Sequence, residues 1–534
     1  MILAPRPELL FSAVLATAAL APAQVVERIS VSTSGELANH PTELLTRPSD
    51  DGRFVAFTTI ATNLVAPDPT LTRDVFLRDR LLGTTTRVRP DGIVGDLTPD
   101  GRRLSYFRTL AGGTAVLDLT TDAEVALTTL PDVSFPGPFS ADGRFLLYVR
   151  VNGGVGPDMV WRRELATGAD DLVSATSAGT PNTLTALPGF LSSDGTIATF
   201  TTADPNILPG DGNGTNDAFY KDYGFGFTSR VSVDVNEGEL AGHSSAGNVT
   251  SDTRFFLFST ESPVVPADTN GTWDLYVADR FLGDARRASV SSSGVQGNAS
   301  SQSLRAWIAV DGTRVIFDSL ASNLVPGDTN GARDVFEHDF ETGLTRRLVL
   351  GLNGAEADAA IELWGVSTDG RYLTIRSEAT NLVAGAQDGL AHAYLVDLGP
   401  QCFVASYCSA QPNSTGLSAE IQSTGTPSFA LNNFVLSALG LPASTTCTFF
   451  HGTTRVEPPA TFGNGLRCAG GTLVRLGTSQ AVDGVVIAFQ DLSGGAYATL
   501  QPGEVRRFQL VYRDALAGGA GFNTTAALEV TFCP

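Results

Sequence analysis

A short phrase returns along the first three quarters of the chain: a small residue, any residue, Asp, Gly, Arg or Thr, then an apolar run. It reads Ser49-Asp50-Asp51-Gly52-Arg53-Phe54-Val55-Ala56-Phe57 and Ser140-Ala141-Asp142-Gly143-Arg144-Phe145-Leu146-Leu147-Tyr148. It returns as Ser367-Thr368-Asp369-Gly370-Arg371-Tyr372-Leu373-Thr374-Ile375. Its Asp falls at Asp51, Asp100, Asp142, Asp194, Asp252, Asp311 and Asp369, with spacings of 49, 42, 52, 58, 59 and 58 residues. Asp-Gly makes a tight turn, because Gly accepts positive φ and Asp bonds its own backbone. The run after it has the length and composition of a buried strand. A period of this length matches a four-stranded propeller blade with variable loops.

A second phrase follows each anchor by about 20 residues: Asp, three mostly apolar residues, any residue, Asp. Examples are Asp74-Val75-Phe76-Leu77-Arg78-Asp79, Asp274-Leu275-Tyr276-Val277-Ala278-Asp279 and Asp334-Val335-Phe336-Glu337-His338-Asp339. A turn such as Glu341-Thr342-Gly343 and an outer strand such as Thr345 to Leu350 come next. No such unit buries its faces alone, whereas units stacked about an axis do. Two copies depart from the pattern: Thr253 replaces Gly after Asp252, and the Asp100 repeat lacks the leading Asp of the second phrase. The seventh repeat stops at Tyr394-Leu395-Val396-Asp397 with no outer strand. Arg28-Ile29-Ser30-Val31-Ser32 matches the outer strands that begin at Arg230 and Arg287. It is therefore predicted to complete the seventh blade and remove two exposed edges. These anchors and second phrases resemble the TolB-like (WD-like) β-propeller repeat family of bacterial exported proteins, over about 370 residues. The resemblance implies a propeller that makes protein contacts at one face.

The 534 residues carry 35 basic and 56 acidic side chains, a net charge of −21. Lys221 is the only lysine. Such a chain suits neither nucleic acid nor an anionic membrane surface, both of which need clustered basic residues. Residues 1–23 read as a signal peptide: Arg6, an apolar stretch from Leu9 to Leu20, and Ala21-Pro22-Ala23 before Gln24. That stretch is too short for a membrane span, and no other segment reaches about 18 apolar residues. Cys402, Cys408, Cys447, Cys468 and Cys533 all fall in the last quarter. In an exported chain this reads as a disulfide-stapled module after a cysteine-free domain. From Gln401 the repeat disappears, and short apolar runs such as Val485 to Phe489 and Phe508 to Tyr512 alternate with Gly and Pro turns. The expected fold is all-β: a seven-bladed β-propeller over 24–399, then a small disulfide-containing β-sandwich over 400–534. The stretches around Tyr407-Cys408-Ser409, Phe462 to Cys468 and Tyr512-Arg513-Asp514 resemble a C-terminal module of secreted planctomycete-type proteins. Cys447 with Cys468, and Cys533 with Cys408 or Cys402, are the expected bridges, leaving one thiol over.

Catalytic signatures are thin. His40 and His243 occupy equivalent places, Gly35 to His40 and Gly238 to His243, which points to repeat ancestry. Gly242-His243-Ser244-Ser245-Ala246-Gly247 nearly spells a nucleophile elbow, but Ala246 stands where the second Gly belongs and the strand-to-helix setting is missing. No P-loop, dinucleotide fingerprint or H-E-x-x-H occurs. The sharpest chemical signal is an acidic loop: Asp211, Asn213 and Asp217; Asp268, Asn270 and Asp274; Asp328, Asn330 and Asp334. Oxygens at positions one, three and seven suit calcium. Asn-Gly is also a favoured hairpin turn on geometry alone. The expected function is that of a monomeric, non-catalytic binding or scaffold protein, secreted or periplasmic, with loops that hold a protein or glycan partner. The alternatives are a carbohydrate-active enzyme, a polysaccharide lyase or hydrolase, and a purely structural surface protein.

Overall fold

The computed structural model describes residues 24–533 except 69, 111, 128–132, 152–155, 303, 310, 386–387, 400–401 and 430–431. The expected signal segment lies outside the described residues. Between Val25 and Asp397 the chain forms seven antiparallel four-stranded sheets in succession. Six of them use four consecutive strands, as in Thr42–Leu45, Phe54–Thr59, Asp74–Asp79 and Thr84–Arg89. The seventh takes Ile361–Val366, Tyr372–Ser377 and His392–Asp397 from the end of the run, and its outer strand, Val25–Arg28, from the beginning. Val25 pairs with Asp397 and Arg28 with Tyr394. The paired segment starts ahead of Arg28-Ile29-Ser30-Val31-Ser32 because the backbone turns there, the Val31 N–H donating to the Ile29 carbonyl at 2.8 Å.

Apolar clusters lie between neighbouring sheets all the way round. Val75 and Leu77 of the first sheet pack with Leu104 and Tyr106 of the second. Phe255 and Leu257 of the fifth pack with Val315 and Phe317 of the sixth. Val55 and Phe57 of the first pack with Tyr372 and Leu395 of the seventh, which closes the ring. Among the described residues, the seam between second and third sheets is the leanest, with Val116, Leu127, Phe139 and Leu146. Each buried large side chain contributes about 1.5–3 kcal/mol. Radial sheets closed on themselves about an axis make a β-propeller.

The anchor phrase owes its repetition to a side-chain-locked turn. Ser49 Oγ donates to Asp51 at 2.6 Å and accepts from the Phe54 N–H at 2.9 Å, while Asp51 accepts from the Arg53 N–H at 2.9 Å. Ser140 with Asp142 and Ser367 with Asp369 repeat this. Arg53 then grips Asp79, the closing residue of the second phrase, at 3.0 and 2.7 Å. Arg254 with Asp279 and Arg371 with Asp397 do the same. Gly52 sits at φ +66°, and Thr253 takes the same left-handed position at φ 60°.

After Asp397 the pattern changes. Phe403–Cys408, Phe522–Thr531, Val505–Arg513, Thr446–Gly452 and Val474–Gln480 form a five-stranded sheet. Glu420–Thr424, Val435–Leu439 and Val486–Phe489 form a three-stranded one. Ile421, Phe434 and Leu436 on one side meet Phe449, Phe508, Leu510 and Val530 on the other in a single core. Thr454–Phe462 and Gly465–Gly470 make a separate hairpin. Disulfides join Cys402 to Cys533 and Cys408 to Cys468. Cys402 is one of the two partners expected for Cys533, and the expected pairing of Cys447 with Cys468 is corrected: Cys468 is bridged to Cys408. Cys447 points into the shared core as a buried free thiol, whereas Cys468 lies on the hairpin.

The axial channel and the acidic loops

Seven inner strands face the axis: Thr42–Leu45, Gly92–Leu97, Val133–Phe139, Ala186–Leu191, Ser244–Val249, Trp307–Ile308 and Ile361–Val366. In four consecutive repeats a glycine stands three residues before the anchor: Gly95, Gly137, Gly189 and Gly247. The pairing with the next strand slips across each of them, a β-bulge. A side chain at Gly95 would run into Pro136 of the next sheet, and one at Gly189 into Thr199. The bulge aims the following residue at the axis. The residue two before the anchor in every sheet lines a cavity of about 370 Å³: Arg47, Asp96, Pro138, Phe190, Asn248, Trp307 and Gly365.

Two charges in this channel are spent on structure. Arg47 bonds Asp96 at 3.2 Å and the Leu97 carbonyl at 2.9 Å, while Asp96 accepts from the Phe139 N–H at 2.9 Å. Burial raises the Asp96 pKa and Arg47 opposes that rise. Asp50, in the first anchor turn, accepts from the Thr368 N–H of the seventh at 2.7 Å. Burial pushes its pKa up to about 6. At the opposite end, where the inner strands begin, the rim is apolar. Phe135, Leu187 and Leu304, from three different sheets, are 48, 54 and 58% exposed. Next to Leu304, Arg305 stacks on Trp364 at 3.5 Å.

The acidic loops lie at this same end. Each carries a cation of its own, and it is an arginine. Arg230 stands 3.1 Å from Asp211, 3.6 Å from Asp217 and 2.8 Å from Glu239. Arg287 stands 3.2 Å from Asp268 and 3.4 Å from Asp274. Arg347 stands 3.2 Å from Asp328, 3.4 Å from Asp334 and 2.8 Å from Glu356. A fourth copy joins Arg87 to Asp68 and Asp74. The asparagines are turn residues: Oδ1 of Asn213, Asn270 and Asn330 accepts from the backbone N–H two residues on. Nδ2 of each donates to the closing Asp and to a carbonyl 27 residues ahead. Carboxylate oxygens of Asp211, Asp217 and Glu239, and of Asp328, Asp334 and Glu356, lie within 4.8 Å of one another, close enough for a metal ion. The residues nevertheless fit calcium poorly. One side-chain oxygen of every three is held in the turn, and a guanidinium already pairs with the carboxylates, where calcium wants six to eight oxygens.

The three matching loops differ in one detail. Ser232 donates to Asp217 at 2.9 Å and Ser289 to Asp274 at 2.5 Å. Val349 occupies the corresponding position in the sixth sheet, and Asp334 Oδ1 is left without a hydrogen bond among the described residues. Burial, opposed by Arg347, lifts the Asp334 pKa to about 6. Asp211 is lifted equally, by burial first.

In the seventh sheet the same place holds His392. Its Nδ1 meets Ser30 Oγ at 2.9 Å and its Nε2 meets Asp388 at 2.9 Å. The trio has the residue types of a hydrolytic triad, with the ring reversed: there serine meets Nε2 and the acid Nδ1. Ser30 is fully buried and accepts from the Ala393 N–H at 3.1 Å, so it presents no nucleophile to a substrate. His40 and His243 lie in loops at the acidic-loop end, each bonded to an asparagine. Ser244 is buried at the start of an inner strand, outside any nucleophile elbow. The clamp arginines escaped notice in the sequence although the signal was there. Arg87, Arg230, Arg287 and Arg347 each follow the closing Asp of the loop by 13 residues.

No protein-family model and no curated protein matches the chain. Solved structures with similar overall form include an oligogalacturonate lyase in complex with manganese, at 13% identity and a TM-score of 0.42 over 66% of this chain and 88% of that one. A putative TolB from Agrobacterium tumefaciens matches at 15% identity and a TM-score of 0.35, over 59% of this chain and 93% of that one. The β-propeller domain of the trilobed protease from Pyrococcus furiosus matches at 14% identity and a TM-score of 0.42, over 66% and 95%.

Proposed function

We propose that the chain is an exported seven-bladed propeller over residues 24–399 with a C-terminal β-sandwich over 400–534, and that it binds a protein or glycan partner at the channel face without transforming it. The observation that carries this reading is the channel mouth. Pro138, Pro188, Phe190, Leu304, Trp307 and Trp364, from four sheets, line a cavity of about 370 Å³ there, and apolar groups gathered around a concavity are the usual build of a ligand site. The acid–base groups around it support binding over catalysis, because Arg47 with Asp96, Ser30 with His392, and the clamp arginines are all held by structural partners. Two disulfides favour an oxidising compartment. Among the described residues no helix is long and apolar enough to cross a membrane.

The test is a glycan array and a peptide array probed with the whole chain, beside a polysaccharide-cleavage screen. An Asn248→Trp variant, which fills the channel from one inner strand, serves as control. Saturable binding that the plug abolishes is the expected result. Turnover of any polysaccharide, or binding indifferent to the plug, overturns it.

A further inference from the structure

We infer that Arg305 marks the seat of a carboxylate carried on an apolar body, held at the channel mouth; this rests on the binding reading above. Three arginines and two carboxylates crowd this side of the ring. Arg333 pairs with Asp318 at 3.0 Å and Arg376 with Glu362 at 2.9 Å. Asp318 also accepts from the Leu363 N–H at 3.3 Å, and Arg376 also donates to the Thr42 carbonyl at 2.7 Å. Both carboxylates are thus taken, and among the described residues none pairs with Arg305. One positive charge is left over in a chain whose net charge is −21.

The surroundings of that charge say what it takes. Its guanidinium lies 3.5 Å over the Trp364 ring. Stacking uses the face of the guanidinium and leaves its in-plane N–H groups for a planar, bidentate acceptor, which a carboxylate is. Half-burial lowers the Arg305 pKa, a cost that an anionic ligand would offset. The walls beside it are apolar: Leu304, Trp307, Phe190 and Pro188 line the same cavity. A free sugar would waste those walls, and a small hydrophilic anion would leave them wet. An acid with an aryl or branched-alkyl body meets both requirements. Its source is either a free small acid or the carboxyl end of a peptide with an apolar last residue.

Titration of the whole chain in carboxylate-free buffer tests this, followed by tryptophan fluorescence and calorimetry. The probes are 4-phenylbutyrate, a tetrapeptide ending in leucine, and the neutral amide of each. The expected result is saturable binding of at least one acid, weakened roughly tenfold or more in its amide. Arg305→Met should bring a similar loss, and Arg305→Lys a partial one. Whichever acid binds more tightly identifies the source. Equal binding of acid and amide to the wild type overturns the inference without need of any variant. So does an Arg305→Met chain that binds the acid normally, and so does absence of binding by both acids. Array hits that the Asn248→Trp plug abolishes would, in those cases, leave the broader binding reading standing.

Discussion

In the propeller, Arg287 lies buried between two carboxylates; in the C-terminal region, Cys447 lies buried among Phe449, Leu510 and Tyr512. That contrast extends to both regions as wholes. The ring has no cysteine and spreads its stability over seven seams, each tied by locked turns and internal ion pairs. The last 130 or so residues have one core, two disulfides and few such pairs. A repeat whose units need only their neighbours can place the same polar clamp many times over. A small non-repeating region has too little core for that and draws on covalent closure instead.

The largest expected effect separates the two regions. Replacing Cys402 and Cys533 by alanine opens a loop of 131 residues, which costs about 5 kcal/mol in the chain-entropy picture. Cys447 should then react with a thiol reagent far faster. The melting seen by the four tryptophans, all of which precede residue 400, should stay where it is. A shift of both signals together would mean that the regions unfold as one unit.

Arg287→Ala attacks the other side of the comparison. It leaves Asp268 and Asp274 buried without their cation, a change of about 3–5 kcal/mol. The tryptophan-detected transition should fall and Cys447 labelling should not change. Calcium and chelator should give superimposable wild-type melting curves, since an arginine already pairs with the carboxylates of each loop.

Mild acid should drive the two regions in opposite directions. His451 is buried beside Phe508 and Tyr497, both ring nitrogens lack hydrogen bonds among the described residues, and burial lowers its pKa to about 4. The unfolded chain takes up that proton near pH 6.5. C-terminal stability therefore falls as pH drops from about 6.5 to 4, by about 3 kcal/mol at most. His451→Phe should remove this dependence. Asp211 and Asp334, raised to about 6, work the other way. The folded ring holds their protons more tightly than the unfolded chain does, so it gains stability as pH falls from above 6 towards 4. Cys447 labelling and tryptophan melting, followed across that window, should diverge.

The smallest effect sharpens the account of the ring. Thr253 holds a left-handed position that glycine fills at Gly52, Gly143 and Gly370. Thr253→Gly should stabilise the propeller by about 1 kcal/mol, read as a modest rise in tryptophan-detected melting. An unchanged or lower melting temperature would show that the Thr253 side chain earns its strain through packing.

Much of the ring was legible before any coordinates. Ser-x-Asp-Gly announces its turn because every bond in it is local, reaching at most five residues. Bonds that cross between elements were not legible. The acidic loops read either as calcium sites or as plain Asn-Gly turns, because three oxygens in seven residues are visible locally. The guanidinium that fills each one arrives from the outer strand, 13 residues past the closing Asp. The expected Cys447–Cys468 pairing fails for the same reason. Spacing along the chain does not say that Cys447 turns into the shared core while Cys468, on a separate hairpin, is buried against Cys408.

The sequence by itself determined the turns, the strand lengths and their period, since these follow from backbone preferences and contacts a few residues long. Tertiary structure alone decided which charges are spent and which remain. Asp318 meets Arg333 and Glu362 meets Arg376 across paired strands within one sheet each, while Arg305 of the sixth sheet reaches Trp364 only once the seventh stands beside it, and it is left unmatched there. Whether a charge is free depends on every neighbour within a few ångströms, and the closed ring is what sets those neighbours.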